Sequence, residues 1–307
     1  MRIAVTGATG VVGRPAVVSL VAAGYDVVAL ARTPEKALLL RGLGAEPWLA
    51  SLFDDEGLAG MLEGADAVCN LTTPVPVGRL ALRPHAWKLH DRLRTEGARR
   101  VVEAAREARV RRVVQGSVSC LYADQGDSWV DELAPVEITC ATEPMSVGES
   151  HVQDFAAGAV GGRTGVVLRF GTVIGDDAST RAIVRAARHG HAVGLGSPDG
   201  WAHVIHTDDI GPSVVAAMSV PSGVYNVGAE PVRRRDLVAA YAAAAGRDGA
   251  GFVGAVARRV GGARLEPLTR SLRVSSRRFT AQSGWAPRRP HLDGSWFVSG
   301  QPREALR

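Results

Sequence analysis

Short apolar runs alternate with amphipathic stretches through the first half of the chain. That rhythm predicts right-handed βαβ units building a parallel sheet. Strands are expected at Arg2–Val5, Asp26–Ala31, Glu46–Leu49, Ala65–Leu71, Arg112–Gln115 and Gly165–Phe170. Between them, Val11–Ala23 reads as a helix closed by Gly24, which is free to take the left-handed conformation at a helix C-terminus. Leu89–Ala108 reads as a longer amphipathic helix in which Leu89, Leu93, Val101 and Ala104/Ala105 share one buried stripe. The repeat stops short of eight units, so a doubly wound α/β sheet is expected rather than a barrel.

After Gly171 the rhythm changes. A helix is expected at Thr180–His189, then a loop through Trp201, a strand near His203–His206, and a helix towards Met218 with Thr207 and Asp208 as capping residues. A short strand at Val224–Val227, a helix at Val232–Ala245 and a glycine- and arginine-rich tail complete the pattern.

Composition narrows the function. Among 307 residues 46% are apolar, enough for a large core, and the net charge of +5 comes almost wholly from arginine. The basic doublets are separated by acids and not interleaved with aromatics, so no nucleic-acid partner is expected. Three cysteines without CxxC spacing speak against a disulfide framework or a thiolate metal site. Histidines 85, 90, 151, 203 and 206 lack an acidic partner at ligand spacing, so no metal is expected. The amino terminus leads directly into a strand and no apolar run is long enough to span a bilayer. A cytoplasmic protein with no membrane association is therefore expected; the oligomeric state is not readable.

The segment Thr6-Gly7-Ala8-Thr9-Gly10-Val11-Val12-Gly13 joins the first strand to the first helix. Gly7 suits a tight turn, Gly10 close approach to a pyrophosphate, and Gly13 tight helix–strand packing, with the phosphates on the helix N-terminus. Thr9, Val11 and Val12 belong to the same loop. At the end of the second strand, where an acid would hold the ribose hydroxyls of NAD, Arg32 stands instead, with Lys36 a turn further on. Both suit a 2′-phosphate, so NADP (NADPH) is the expected cofactor. Residues 1–170 are thus expected to form a dinucleotide-binding Rossmann core, joined by a returning segment 203–228. A smaller substrate-binding lobe would comprise 171–202 and 229–307.

With these residues in hand the chain resembles the extended short-chain dehydrogenases/reductases of the NAD-dependent epimerase/dehydratase-like branch. Besides the glycine loop, the resemblance rests on Arg94-Thr-Glu-Gly97 with Glu103-Ala-Ala105, on residues 167–173, on His206-Thr-Asp-Asp209 and on Tyr225-Asn-Val-Gly228. It implies that the nicotinamide end lies against Leu71, Thr72 and Thr73 and against Phe170, Gly171, Thr172 and Val173. The adenine end would lie against Ser51 and Leu52, Ser51 replacing the usual aspartate.

The resemblance breaks at the catalytic set. The family's Pro-Tyr-x-x-x-Lys stretch corresponds to residues 144–149, where Met145 stands for tyrosine and Glu149 for lysine. None of the four tyrosines has a lysine four residues on, and Arg94 occupies the asparagine position. The expected serine position falls on Val118, flanked by Ser117 and Ser119. Proton supply is therefore assigned to the hydroxyls of Ser117, Ser119 or Tyr122, to water, or to the substrate's own phenol. The chain is similar in this loss to angucyclinone ketoreductases of simocyclinone-type biosynthesis. The resemblance implies reduction of a ketone on an aromatic polyketide, with Trp87, Trp129, Met145 and Trp201 lining the cleft for a flat small-molecule substrate. A non-redox cyclase, dehydratase or isomerase, and a cofactor-sensing regulator, are the competing expectations.

Overall fold

A computed structural model of the chain describes residues 1–73, 75–76, 80–81, 83–157, 162–254 and 263–297. Seven strands form one parallel sheet: β1 (Arg2–Thr6), β2 (Asp26–Ala31), β3 (Glu46–Leu49), β4 (Ala67–Asn70), β5 (Arg112–Val118), β6 (Thr164–Phe170) and β7 (Gly223–Val227). Their order is β7-β6-β5-β4-β1-β2-β3, the doubly wound arrangement. The periodic segments therefore became the expected strands, with a seventh added at the edge by the returning chain.

Both faces of the sheet are covered, which explains why the strands are continuously apolar. Side chains alternate across each strand. Ile3, Val5, Ala29 and Cys69 enter one core, against helices Gly13–Ala22 and Thr207–Ala216. Ala4, Val28, Val68 and Val113 enter the other, against helices Asp55–Leu62, Ala98–Glu107 and Glu143–Ala157. Each fully buried valine or leucine contributes about 1.5–3 kcal/mol, so these two layers dominate the stability of the core.

Three local expectations change. β5 runs three residues past Gln115, because β6 pairs with it along its whole length, from Arg112 opposite Thr164 to Val118 opposite Phe170. The stretch from Lys88 to Glu107 is helical throughout but contains one wider turn at Leu93–Gly97, and Leu89, assigned above to the buried stripe, is exposed. The cap of helix Thr207–Ala216 is His206, whose Nδ1 accepts the Asp208 N–H at 3.1 Å, and not Thr207 or Asp208.

Outside the main sheet, Thr172–Ile174 pairs in parallel with Val204–His206, and Trp129–Val130 pairs with Arg273–Val274. Arg270, with its side chain only 1% exposed, donates to the carbonyls of Tyr122 and Glu137 and to both carboxylate oxygens of Glu266. It ties the segment before Leu272 to the turn that follows β5. The lobe expected at 229–307 includes residues 255–262 and 298–307, which lie outside the described residues.

Candidate active site

β1 ends at Thr6 and the chain turns at Gly7, whose φ of 69° is left-handed. A methyl group there would stand 2.6 Å from backbone atoms of Leu71 and Thr72, and one at Gly13 only 2.1 Å from the Gly7 carbonyl oxygen. At Gly10 it would meet nothing within 4 Å except that same oxygen, at 3.2 Å. Gly7 and Gly13 are thus demanded by the protein's own packing, while Gly10 leaves room in front of the loop. The helix that follows has no side-chain cap, so its amides and positive dipole end remain available to an anion.

In front of this loop lies a groove of about 280 Å³. It gathers Gly7, Thr9, Gly10, Arg32, Lys36, Ser51, Leu52, Thr72 and Thr73 from the ends of β1, β2, β3 and β4. Leu30, Phe53, Leu89 and Leu93 complete the wall and were missed in the sequence. Phe53 directly follows the assigned Leu52, and the exposure of Leu89 is explained by its place on this groove. An anion-binding helix end, two cationic side chains and an apolar wall fit a phosphorylated dinucleotide, and no acid stands at the end of β2 to oppose an extra phosphate.

The remaining cofactor assignments lie elsewhere. Val12, Leu71 and Phe170 are buried in the apolar core, and Val11 is exposed beside the loop. Gly13 underpins the turn, and Gly171 packs against the backbone of His203 and Val204. Thr172 and Val173 belong to the short strand paired with Val204–His206. None of these eight lines the groove.

Beneath the loop, the C-terminal ends of β1 and β4 and the middle of β5 carry a chain of buried polar side chains. Thr6 Oγ1 donates to Asn70 Oδ1 at 2.6 Å, Asn70 Nδ2 to Gln115 Oε1 at 2.9 Å, and Gln115 Nε2 to the Gly116 carbonyl at 2.9 Å. Arg94, buried at the asparagine position, donates to the same carbonyl and, at 2.9 Å, to Thr73 Oγ1. Burial lowers its pKa to about 10, with the charge of Glu149 acting in the other direction.

Glu149, at the lysine position, is fully committed. Its carboxylate takes Arg169 Nε at 3.0 Å and Arg169 NH2 at 2.6 Å, and Ser117 Oγ donates to it at 2.5 Å. Both charged side chains are less than a tenth exposed. Arg169 also lies 4.7 Å from the centre of the Tyr122 ring.

The three hydroxyls assigned to proton supply therefore differ. The proton of Ser117 points into Glu149. Tyr122 is fully buried, donates to Asn226 Oδ1 at 2.8 Å, and has its pKa raised chiefly by burial. Ser119 is buried in the turn after β5, and its hydroxyl makes no hydrogen bond among the described residues.

The aromatic residues separate as well. Met145 and Trp87 are buried; Trp87 donates to the Ala81 carbonyl at 2.9 Å and packs edge-on to His90. Trp129 and Trp201 do not line the groove. They sandwich Arg273, at 4.2 and 4.6 Å from the ring centres, and Trp201 donates to Asp127. Their guanidinium neighbours hold them away from the cofactor groove; Trp129 lines one further cavity and Trp201 another. Among the described residues no cluster of metal-ligating side chains occurs, and no helix is long and apolar enough to cross a membrane.

Residues 7–140 match the NAD(P)H-binding family. A 3-diazoavenalumate denitrifying reductase from a Streptomyces species is 32% identical over 240 residues, spanning 74% of this chain and 75% of that protein. The chain belongs to the family of this NAD(P)H-binding reductase. Within that family, the 4-hydroxy-2-methyl-3-oxo-4-farnesyl-3,4-dihydroquinoline-1-oxide ketoreductase of Stigmatella aurantiaca is 35% identical over 124 residues, 40% of this chain and 35% of that one. The solved structure of MoeE5 with UDP-glucose and NAD superimposes with a TM-score of 0.77, covering 97% of this chain and 96% of its own at 24% identity. At that identity it speaks for the fold. The chain is accordingly an NAD(P)-dependent reductase by family and by cofactor groove.

Proposed function

We propose that this reductase uses NADPH to reduce a ketone on an aromatic polyketide of the angucyclinone type, in the cytoplasm, as a step of antibiotic biosynthesis. The observation that carries this reading is the contrast inside the site. The cofactor groove keeps its glycine loop, Arg32 and Lys36, while Met145 and Glu149 replace the customary tyrosine and lysine and Glu149 is locked to Arg169. Reduced nicotinamide, when bound, supplies a hydride. The residues that would hold it are the glycine loop, Arg32 and Lys36 at the 2′-phosphate, and Ser51, Leu52, Thr72 and Thr73 along the groove.

The protein then orients an electrophile and stabilises the charge that develops on it. Met145 has no proton to give, and Ser117 and Tyr122 direct theirs to internal acceptors. A phenol beside the ketone supplies its own hydrogen bond to the carbonyl oxygen, which suits a site that has lost its acidic tyrosine.

A second reading is supported by the diazo-reducing relative, since hydride addition to a diazo carbon framework creates no alkoxide and requires no tyrosine. The buried charge favours the ketone: Arg94 and Arg169 outnumber Glu149, and an uncompensated buried cation stabilises an oxyanion but repels a diazonium group. The test is consumption of NADPH with 8-hydroxy-1-tetralone, its 8-methoxy ether and an arene diazonium salt. Alcohol formation from the hydroxy ketone, and little from the ether, is expected. Dinitrogen release without alcohol would overturn the ketone reading.

A further inference from the structure

We infer that the Thr73 hydroxyl, polarised by the buried guanidinium of Arg94, is the protein's hydrogen-bond donor to the oxygen that becomes negative during reduction. This rests on the reductase reading above and names the site's electrostatic component.

Four observations converge on this pair. Thr73 lines the groove at the end that follows β4. Its Oγ1 accepts from Arg94 NH2 at 2.9 Å, so a lone pair faces a cation, while its own proton makes only a long hydrogen bond, 3.5 Å, to the Leu71 carbonyl. That long bond is easily exchanged for one to a groove ligand, in contrast to the short ones of Ser117 and Tyr122. Arg94 itself is 2% exposed and hydrogen-bonds to no carboxylate among the described residues; its two partners are the Gly116 carbonyl and Thr73, and its Nε has none.

A buried guanidinium without a bonded counter-ion is costly to fold. Glu149, the acid whose charge acts on Arg94, spends its oxygens on Arg169 and Ser117. His90, one turn before Arg94, is held neutral by burial, its pKa lowered to about 4, and Asp91 beside it is paired with Arg264. The charge of Arg94 thus reaches the groove through Thr73, countered by Glu149 through space but by no bonded carboxylate among the described residues.

The step balances as follows. Hydride addition to the carbonyl carbon moves the C=O π pair onto oxygen. Thr73 Oγ–H, polarised by Arg94, hydrogen-bonds to that oxygen as the charge develops, the substrate's neighbouring phenol transfers its proton to it, and the phenolate takes a proton back from the solvent. Thr73 is catalytic in this scheme, and Arg94 is a positioning residue acting through it.

The test uses the full chain saturated with NADP⁺ and 2-naphthol as an oxyanion probe, its ionisation read by absorbance as pH is varied. Calorimetry first establishes NADP⁺ binding for each variant. Hydrogen bonds to charged groups stabilise by about 1.5–3 kcal/mol, so bound naphthol is expected to ionise about one to two pH units lower in the wild type than in Thr73→Val. Thr73→Ser is expected to restore the shift. Arg94→Gln is expected to lose as much as Thr73→Val, and the double variant no more than either, the non-additivity of two groups acting as one. Should Arg94→Gln fail to fold, the valine–serine pair still decides. Equal ionisation in wild type and Thr73→Val, additive losses, or no naphthol binding to an NADP⁺-loaded protein would overturn the inference alone. Absence of NADP⁺ binding in the wild type would overturn the reductase reading with it.

Discussion

Replacing Glu149 by glutamine removes one charge and almost no volume, and so isolates what the ion pair does. In the native protein the carboxylate answers two donors of Arg169 and the hydroxyl of Ser117. Glutamine can accept only at one oxygen, leaving a guanidinium that is 7% exposed without a counter-charge. Breaking a buried pair from one side costs about 3–5 kcal/mol, and solvent screening gives little relief at this exposure. At roughly 2 °C per kcal/mol for a chain of this size, the midpoint of thermal unfolding should fall by about 6–10 °C. Urea denaturation followed by far-ultraviolet circular dichroism measures the loss directly. Removing both charges, as Glu149→Leu with Arg169→Met, should recover more than half of it, because no unpaired ion remains. Glu149→Lys, which restores the family's lysine, should be worse than glutamine, since the new ammonium meets Arg169. A loss below about 1 kcal/mol for glutamine, as at a surface pair, or a double variant no better than the single, would refute this account.

Four further outcomes are expected. Burial holds His203 neutral, with a pKa lowered to about 3, and His90 likewise at about 4. The unfolded chain takes up these protons below about pH 6.5 and the folded chain does not, so stability should fall on acidification from pH 6.5 to 5 by about 1.4 kcal/mol per unit for each histidine. Urea midpoints across that window should show it, with a shallower slope in His203→Leu. Arg32→Ala with Lys36→Ala should weaken NADPH binding about ten- to a hundredfold and leave NADH unchanged by calorimetry. Gly7→Ala should cost about 1–3 kcal/mol in denaturant unfolding and abolish cofactor binding, because its φ is left-handed and its Cβ would meet the backbone after β4. Tyr122→Phe should cost about 1–2 kcal/mol by leaving Asn226 Oδ1 without its donor, with turnover changed less than about twofold.

Local pattern was enough for the architecture. Residues 26–31 and 46–49 form strands with the bounds read from apolar runs, Gly24 closes the first helix in the left-handed conformation, and the glycine loop sits between β1 and its helix. These features depend on neighbours a few residues apart, and backbone geometry converts such spacing directly into structure. The loss of the tyrosine–lysine pair was likewise legible, because it is a matter of residue identity at a fixed interval. What those positions became required the folded chain. Glu149 meets Arg169 only because helix Glu143–Ala157 packs on β6, and Arg94 reaches Thr73 only because its helix crosses the end of β4. The extra length of β5, the burial of Tyr122, the exposure of Leu89 and the outward placement of Trp129 and Trp201 are also set by partners 20 to more than 100 residues away. Hydrogen bonds and ion pairs across such separations leave no periodic trace in the chain, so tertiary packing alone decides which polar groups are spent on the fold and which remain for chemistry.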